Sequence, residues 1–317
     1  MDLKLLFAGT PEFAAQHLKC LIESEHQVVG VITQPDKPGK RGKKPIPSAV
    51  KVLALEEGLT VIQPNKLTVS DISHYDAQAM VVVAYGQILR PPVLETLPFG
   101  CINVHGSMLP RWRGAAPIQR AILTGDTQSG VCIIQMNKGL DTGPILASES
   151  CEISKEDTSA TLALKLARLS TVMLPQVLSK VATGKIEPCH QSETGICYAN
   201  KIDKSEAEIN WSLDSDEILR NILGFNPDPI AFSWLKDLRV KIWEATCDDK
   251  PFEFKPGSIV SLTKQGLVVA CGAGSITITR LQLPLGKGSI LDAADLLNAR
   301  KEMFSPGTML GAVKVAN

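Results

Sequence analysis

Short apolar runs alternate with stretches of helical spacing through the first half of the chain. LKLLFAG (3–9), VVGVIT (28–33), AMVVVAYG (79–86), CINVHG (101–106) and GVCIIQM (130–136) are apolar on both sides of a pleat, as strands covered on both faces are. Between them, FAAQHLKCLIES, SAVKVLALEEGL and APIQRAILTG repeat apolar residues at helical spacing, with Pro11 and Pro47 near the predicted starts of the first two. Alternation of this kind predicts an α/β domain built on a Rossmann-like, doubly wound, mostly parallel sheet.

A long helical stretch from about Thr158 closes that region. Residues 190–206 then lose periodicity and read as a linker, so the expected domains are a catalytic one over 1–189 and a second over 207–317. In the second, helical EILRNILGFN is followed by IAFSWL, VKIWEAT, GSIVSLT, GLVVACG and SITITRLQL, separated by Gly-rich or charged turns. Short strands at such regular spacing predict a small OB-like β-barrel.

Composition narrows the function classes. Apolar residues make up 44% of the chain and charged residues 21%, which are the proportions of a globular protein. Lys and Arg number 33 and so do Asp and Glu, so an electrostatic partner must be met by a local patch rather than a global field. MDLKLLFAGTPEF lacks the marks of a signal or transit peptide, and no apolar run is long enough to span a bilayer. A cytoplasmic location without a membrane partner is therefore expected. The eight cysteines include no C-x-x-C pair, which points away from a zinc site or a dithiol redox motif.

The first strand turn reads FAGTPEFAA rather than G-x-G-x-x-G, so the Rossmann-like sheet is not expected to bind NAD. Candidate chemistry lies further on, in NVHGSMLPRWRG (103–114). A side-chain period of two sends Ile102 and Val104 to one face of the strand and Asn103, His105 and Ser107 to the other. In open α/β sheets ligands bind beyond the carboxyl ends of strands, where these polar groups emerge. The simpler reading is that Asn103 and His105 cap the strand. A third group shifts the balance: GVCIIQM is followed by NKG and LDTG, which places Asp141 at the same sheet edge if the two strands are close. An amide, an imidazole and a carboxylate meeting at one point suit attack on a carbonyl, as oxyanion donor, general acid and orienting base. Alone, an Asp-Thr-Gly sequence fits an ordinary turn. Ser107 is not in a G-x-S-x-G elbow, so direct transfer to an acceptor nucleophile is expected rather than an acyl-enzyme.

Two cationic features remain. Lys37, Lys40, Arg41, Lys43 and Lys44 crowd a Pro- and Gly-interrupted loop with one nearby acid, Asp36. Such a run is either a solvated loop or a phosphate-binding patch that could meet a nucleic-acid backbone. Arg111 and Arg113 flank Trp112, which either grips a nucleotide by pairing and stacking or packs on the sheet edge.

NVHGSMLPRWRGAAPIQRAI with LDTGPIL downstream resembles the folate-dependent formyltransferases. FAGTPEFA, KPGKRGKKP, VVVAYGQIL, GFNPDPIAFSWL and the closing DLLNARK with FSPG extend the likeness along the chain, toward the members that act on initiator methionyl-tRNA. The resemblance implies that 10-formyltetrahydrofolate gives its formyl group to the α-amine of methionine on that transfer RNA. It implies Asn103, His105 and Asp141 as catalytic residues and Ser107, Met108, Leu109 and Pro110 as the turn against the folate. Met108 stands where the family has leucine, a volume-conserving change. Lys40, Arg41, Lys43 and Lys44 would bind the transfer RNA, with Arg41 entering the acceptor stem and the barrel lying along it. No metal is required, and a monomer is expected.

Overall fold

A computed structural model of the chain describes residues 2–39, 45–250, 253–286 and 288–311. The chain forms two compact units, one of Met1–Pro117, Gln128–Glu152 and Ala163–Lys201, the other of Ile118–Thr127, Ile153–Leu162 and Ile202–Asn317.

The first unit is built on a seven-stranded sheet. Its strands are β1 (Lys4–Gly9), β2 (Gln27–Ile32), β3 (Val61–Ile62), β4 (Ala79–Val83), β5 (Cys101–His105), β7 (Gln128–Gln135) and β8 (Ile145–Glu152), in the order β3-β2-β1-β4-β5-β7-β8. A short β6 (Arg113–Gly114) pairs in parallel with β9 (Tyr198–Ala199) in a separate two-stranded sheet. The first five strands of the large sheet are parallel, whereas β7 runs antiparallel to β5 and β8 antiparallel to β7.

Strict alternation explains why these runs form central strands. Leu5, Phe7, Val81, Val83, Ile102 and Val104 face one core, with Leu18 of the helix Glu12–Ile22 and Leu174 and Leu178 of the helix Ser159–Ala182. Leu6, Ala8, Met80, Val82 and Cys101 face the other, against Ile72, Tyr85 and Val93. Covering a sheet on both faces demands apolar residues at every position. Asn103 and His105 interrupt that rule on the second face of β5, beside Ile134 and Cys132 of β7.

The second unit holds an antiparallel half-barrel. β10 (Phe232–Leu235), β11 (Leu238–Asp248), β12 (Ile259–Leu262), β13 (Leu267–Ala270), β14 (Ser275–Gln282) and β15 (Ile290–Asp292) follow the order β10-β11-β14-β13-β12, with β15 also on β14. Ser275–Ile278 pair with β13 and Arg280–Gln282 with β15, so one long strand serves two partners in succession. Register shifts between Ile242 and Ala245 bend β11 at the same level, and bulges of this type increase local twist. The concave side encloses Trp211, Ile218, Ile222, Ile242, Val269, Ile278 and Phe304. The barrel-like expectation is thus met by a sheet that curls without closing among the described residues. No described helix is long and apolar enough to cross a membrane.

A buried histidine ties the long helix to the first unit's core. His17 Nδ1 lies 2.7 Å from the Phe13 carbonyl and must donate to it, while Nε2 lies 2.6 Å from Ser170 Oγ. Burial lowers its pKa to about 4 despite the Phe13 bond. An unfolded histidine binds a proton below about pH 6.5. The native state resists protonation down to about 4, so stability falls as pH drops through that interval, by up to roughly 3 kcal/mol. Urea unfolding at a series of pH values should show this loss, and a His17→Gln variant should show a flatter profile; equal slopes in the two would contradict the assignment.

Candidate functional site

β5 carries two polar side chains into an otherwise apolar surface, and both are buried. They have specific partners. Asn103 Nδ2 donates to Asp141 Oδ1 at 3.4 Å, which leaves the second amide N–H for a substrate oxygen. His105 Nδ1 faces Asp141 Oδ2 at 3.6 Å. On its other side, Nε2 lies 2.8 Å from the Trp112 carbonyl. A carbonyl only accepts, so Nε2 carries a proton and Nδ1 is the ring atom that can exchange one with a reacting group.

Two loops supply these partners. Residues 106–112 leave β5 in a tight turn, where Ser107 Oγ donates to the Arg111 carbonyl at 2.6 Å and Arg111 N to the Met108 carbonyl at 3.1 Å. Trp112 then adopts φ 64°, in the left-handed region, which turns its carbonyl onto His105. Gly114 N donates to Asp141 Oδ2 at 2.8 Å. The second loop joins β7 to β8. Thr142 Oγ1 and Gly139 N both donate to Asn137 Oδ1, at 2.8 and 3.0 Å, and Asp141 adopts φ 51°.

Asp141 reaches the site by a different route from the one the sequence suggests. Because β7 is antiparallel to β5, it ends with Gln135 opposite Ile102 rather than beside His105. The loop therefore has to return toward Asn103 and His105 instead of simply leaving the same sheet edge.

Ser107 and Cys132 are not activated as nucleophiles. The Ser107 hydroxyl is committed to a carbonyl. Burial pushes the Cys132 thiol up to about 11, outweighing the hydrogen bond from Leu109 N, so it stays protonated beneath the site. A thiolate is the reactive form of cysteine. This arrangement suits direct attack by an incoming amine.

The turn after β5 has a buried and an open side. Leu109 packs on Cys132 and Ile134, whereas Met108 is 37% exposed. Met108 lies over Gly130, where an added Cβ would come within 2.3 Å of its Sδ. Of the two arginines, Arg113 is buried and turned inward, donating from Nε and Nη2 to Gln191 Oε1 at 3.1 and 2.7 Å. Arg111 is exposed and stacks over the Trp112 ring at 4.5 Å.

Lys40, Arg41, Lys43 and Lys44 lie outside the described residues. Lys37 and Ile46 pair through both backbone N–H groups, at 3.3 and 2.8 Å. Asp36 accepts from Lys51 Nζ and Gln63 Nε2, each at 2.7 Å, and these bonds hold its carboxyl below the usual range.

Sequence reasoning missed three contributors: the Trp112 carbonyl, Gly114 N–H and Gln191. Two are backbone groups, which residue identity does not advertise. Gln191 falls in an aperiodic stretch with no signal pointing to the site.

An open, mostly parallel sheet presents an amide, an imidazole and a carboxylate together, and an antiparallel half-barrel follows it in the chain. The chain belongs to the formyl transferase family: residues 3–178 match the family model described as Formyl transferase, and residues 201–301 match that of the Formyl transferase, C-terminal domain. Its fold is similar to that of the N-formyltransferase from Helicobacter canadensis in complex with folinic acid and dTDP-3-aminofucose, at 19% identity and TM-score 0.67, over 87% of this chain and 99% of that one. HypX from Aquifex aeolicus, in complex with tetrahydrofolic acid, is similar at 18% identity and TM-score 0.66, over 94% of this chain and 47% of that one. Methionyl-tRNA formyltransferase from Clostridium thermocellum is similar at 16% identity and TM-score 0.58, over 77% of this chain and 93% of that one.

Proposed function

We propose that the chain is a methionyl-tRNA formyltransferase, passing the formyl group of 10-formyltetrahydrofolate to the α-amine of methionine on initiator transfer RNA. The convergence of Asn103, His105 and Asp141 supports the chemistry. The dense cationic loop at 37–44 supports the acceptor, because a polyanion needs it and a small amine does not.

The folate supplies a formyl group on N10 and an amine leaving group. The acceptor amine attacks the formyl carbon, and negative charge gathers on the formyl oxygen as the new C–N bond forms. When the bond to N10 breaks, the proton lost by the acceptor amine is balanced by the one N10 gains. Asn103 donates its second N–H to the charged oxygen, and His105, anchored through Nε2, exchanges a proton at Nδ1. Asp141 orients both groups and helps take the amine's proton. Ser107–Pro110 form the wall against the folate, with Met108 on the open side. Lys40, Arg41, Lys43 and Lys44 clamp the acceptor stem.

A second acceptor, a sugar-nucleotide amine, is favoured by the dTDP-3-aminofucose in complex with the Helicobacter canadensis N-formyltransferase. A formylation assay offering charged initiator transfer RNA and a dTDP-amino sugar side by side separates the two. Turnover of the sugar nucleotide alone would refute the transfer-RNA assignment. Affinity for the transfer RNA should also fall steeply with salt, and neutralising Lys43 and Lys44 together should flatten the log–log slope by roughly two. An unchanged slope removes those lysines from the interface.

A further inference from the structure

We propose that Gln191 is a positioning residue for formyl transfer, whose side-chain amide clamps the two loops that hold His105 from opposite sides. The assignment rests on the catalytic role given to Asp141 above.

The geometry is specific in both directions. Gln191 Nε2 donates to the Asp141 carbonyl at 2.7 Å and to the Gly143 carbonyl at 2.8 Å. Its Oε1 accepts from Arg113 Nε and Nη2. Donors on one side and acceptors on the other fix which end of the amide is which. One group thus spans the β7–β8 loop and the segment after β5. Both spans are held in backbone that side chains disfavour: Asp141 has φ 51°, and Trp112, next to Arg113, has φ 64°. Such conformations persist only where neighbouring contacts determine them.

Each clamped segment presents one partner to His105. Trp112 offers its carbonyl to Nε2, and Asp141 offers Oδ2 to Nδ1. The distance between those two partners sets the ring's orientation, and Gln191 bonds to both segments, in addition to the direct bond from Gly114 N to Asp141 Oδ2. Its own backbone neighbourhood is anchored too, since Cys189 pairs with Ile145 through both N–H groups and β9 pairs with β6. The clamp is therefore mounted on structure rather than on a loose strand.

The test compares wild type with Q191A and Q191E, alone and in a D141N background, using whichever acceptor the wild type formylates. Q191A removes both halves of the clamp. Q191E keeps an oxygen for Arg113 but turns the two donors into acceptors facing carbonyls, and it carries the comparison if Q191A folds poorly. Each single variant should lower kcat on the order of 10²-fold, as small misplacements of reacting groups do, while both KM values stay close to wild type. In the D141N background the same changes should cost clearly less than they do alone, because one of the two partners they position for His105 is already lost.

Losses that multiply fully in that background, or that fall on KM with kcat unchanged, would overturn the assignment. If the wild type formylates neither acceptor, the functional reading fails on its own. The imidazole nitrogen resonances of His105 then decide the matter: they should shift in Q191A and Q191E relative to wild type, and unchanged resonances would reject the clamp.

Discussion

Replacing His105 by alanine is expected to lower kcat for formyl transfer by about 10²–10⁴, the range for losing a positioned general acid or base. The fold should survive. The imidazole is buried but belongs to neither large core, and Cys132, opposite it on β7, packs with Leu109 and Ile134 in a small separate cluster. The change removes the His105 donor from the half-buried Trp112 carbonyl, a loss on the order of 1 kcal/mol. A modest fall in Tm with a collapse in rate is therefore the expected pair of results. Steady-state kinetics beside thermal melting would check it; a rate within about tenfold of wild type would remove His105 from the chemistry.

Gly143→Ala should be nearly as damaging, by another route. A Cβ at this position would lie 1.7 Å from the Gln135 carbonyl oxygen, which belongs to the last residue of β7 and cannot rotate away. The loop must move, and Asp141 lies two residues earlier in it. Displacement of that carboxylate by about 1 Å should cost on the order of 10²-fold in kcat. Stability should fall by roughly 1–3 kcal/mol, as for other overpacked sites. Activity and melting measured on the same preparation would test this, and a variant retaining wild-type kcat would show that the loop tolerates the shift without moving Asp141.

Much of this site was legible because a strand has a period of two. Asn103 and His105 fall on one face of β5 wherever the strand is placed, and a central strand offers them the sheet's ligand-binding edge. Asp141 was harder. Its spacing from GVCIIQM suggested proximity, yet the direction of β7 is not written in its residues, since an apolar run reads alike parallel or antiparallel. β8 escaped notice altogether, because ILASESCE at the sheet's edge is largely exposed and carries polar residues where a central strand would be apolar. The curl of the second unit depends on register shifts in β11, which are relations between strands rather than properties of one.

The cationic loop shows the converse. Charge density was plain from the sequence, while its mounting was not. The carboxylate of Asp36, the one acid in that run, is spoken for by Lys51 and Gln63 at the loop's foot. The lone negative charge is thus drawn into the stem.

Arg113–Gly114 and Tyr198–Ala199 lie in one ribbon, with Ala115 N and Ala116 N both bonded to the Ala199 carbonyl. A ribbon beside the candidate site is consequently borrowed from chain that follows the long helix. Anyone grafting the first unit onto a foreign carrier must transplant the tail through residue 201 as well, or the graft will arrive with its back panel missing.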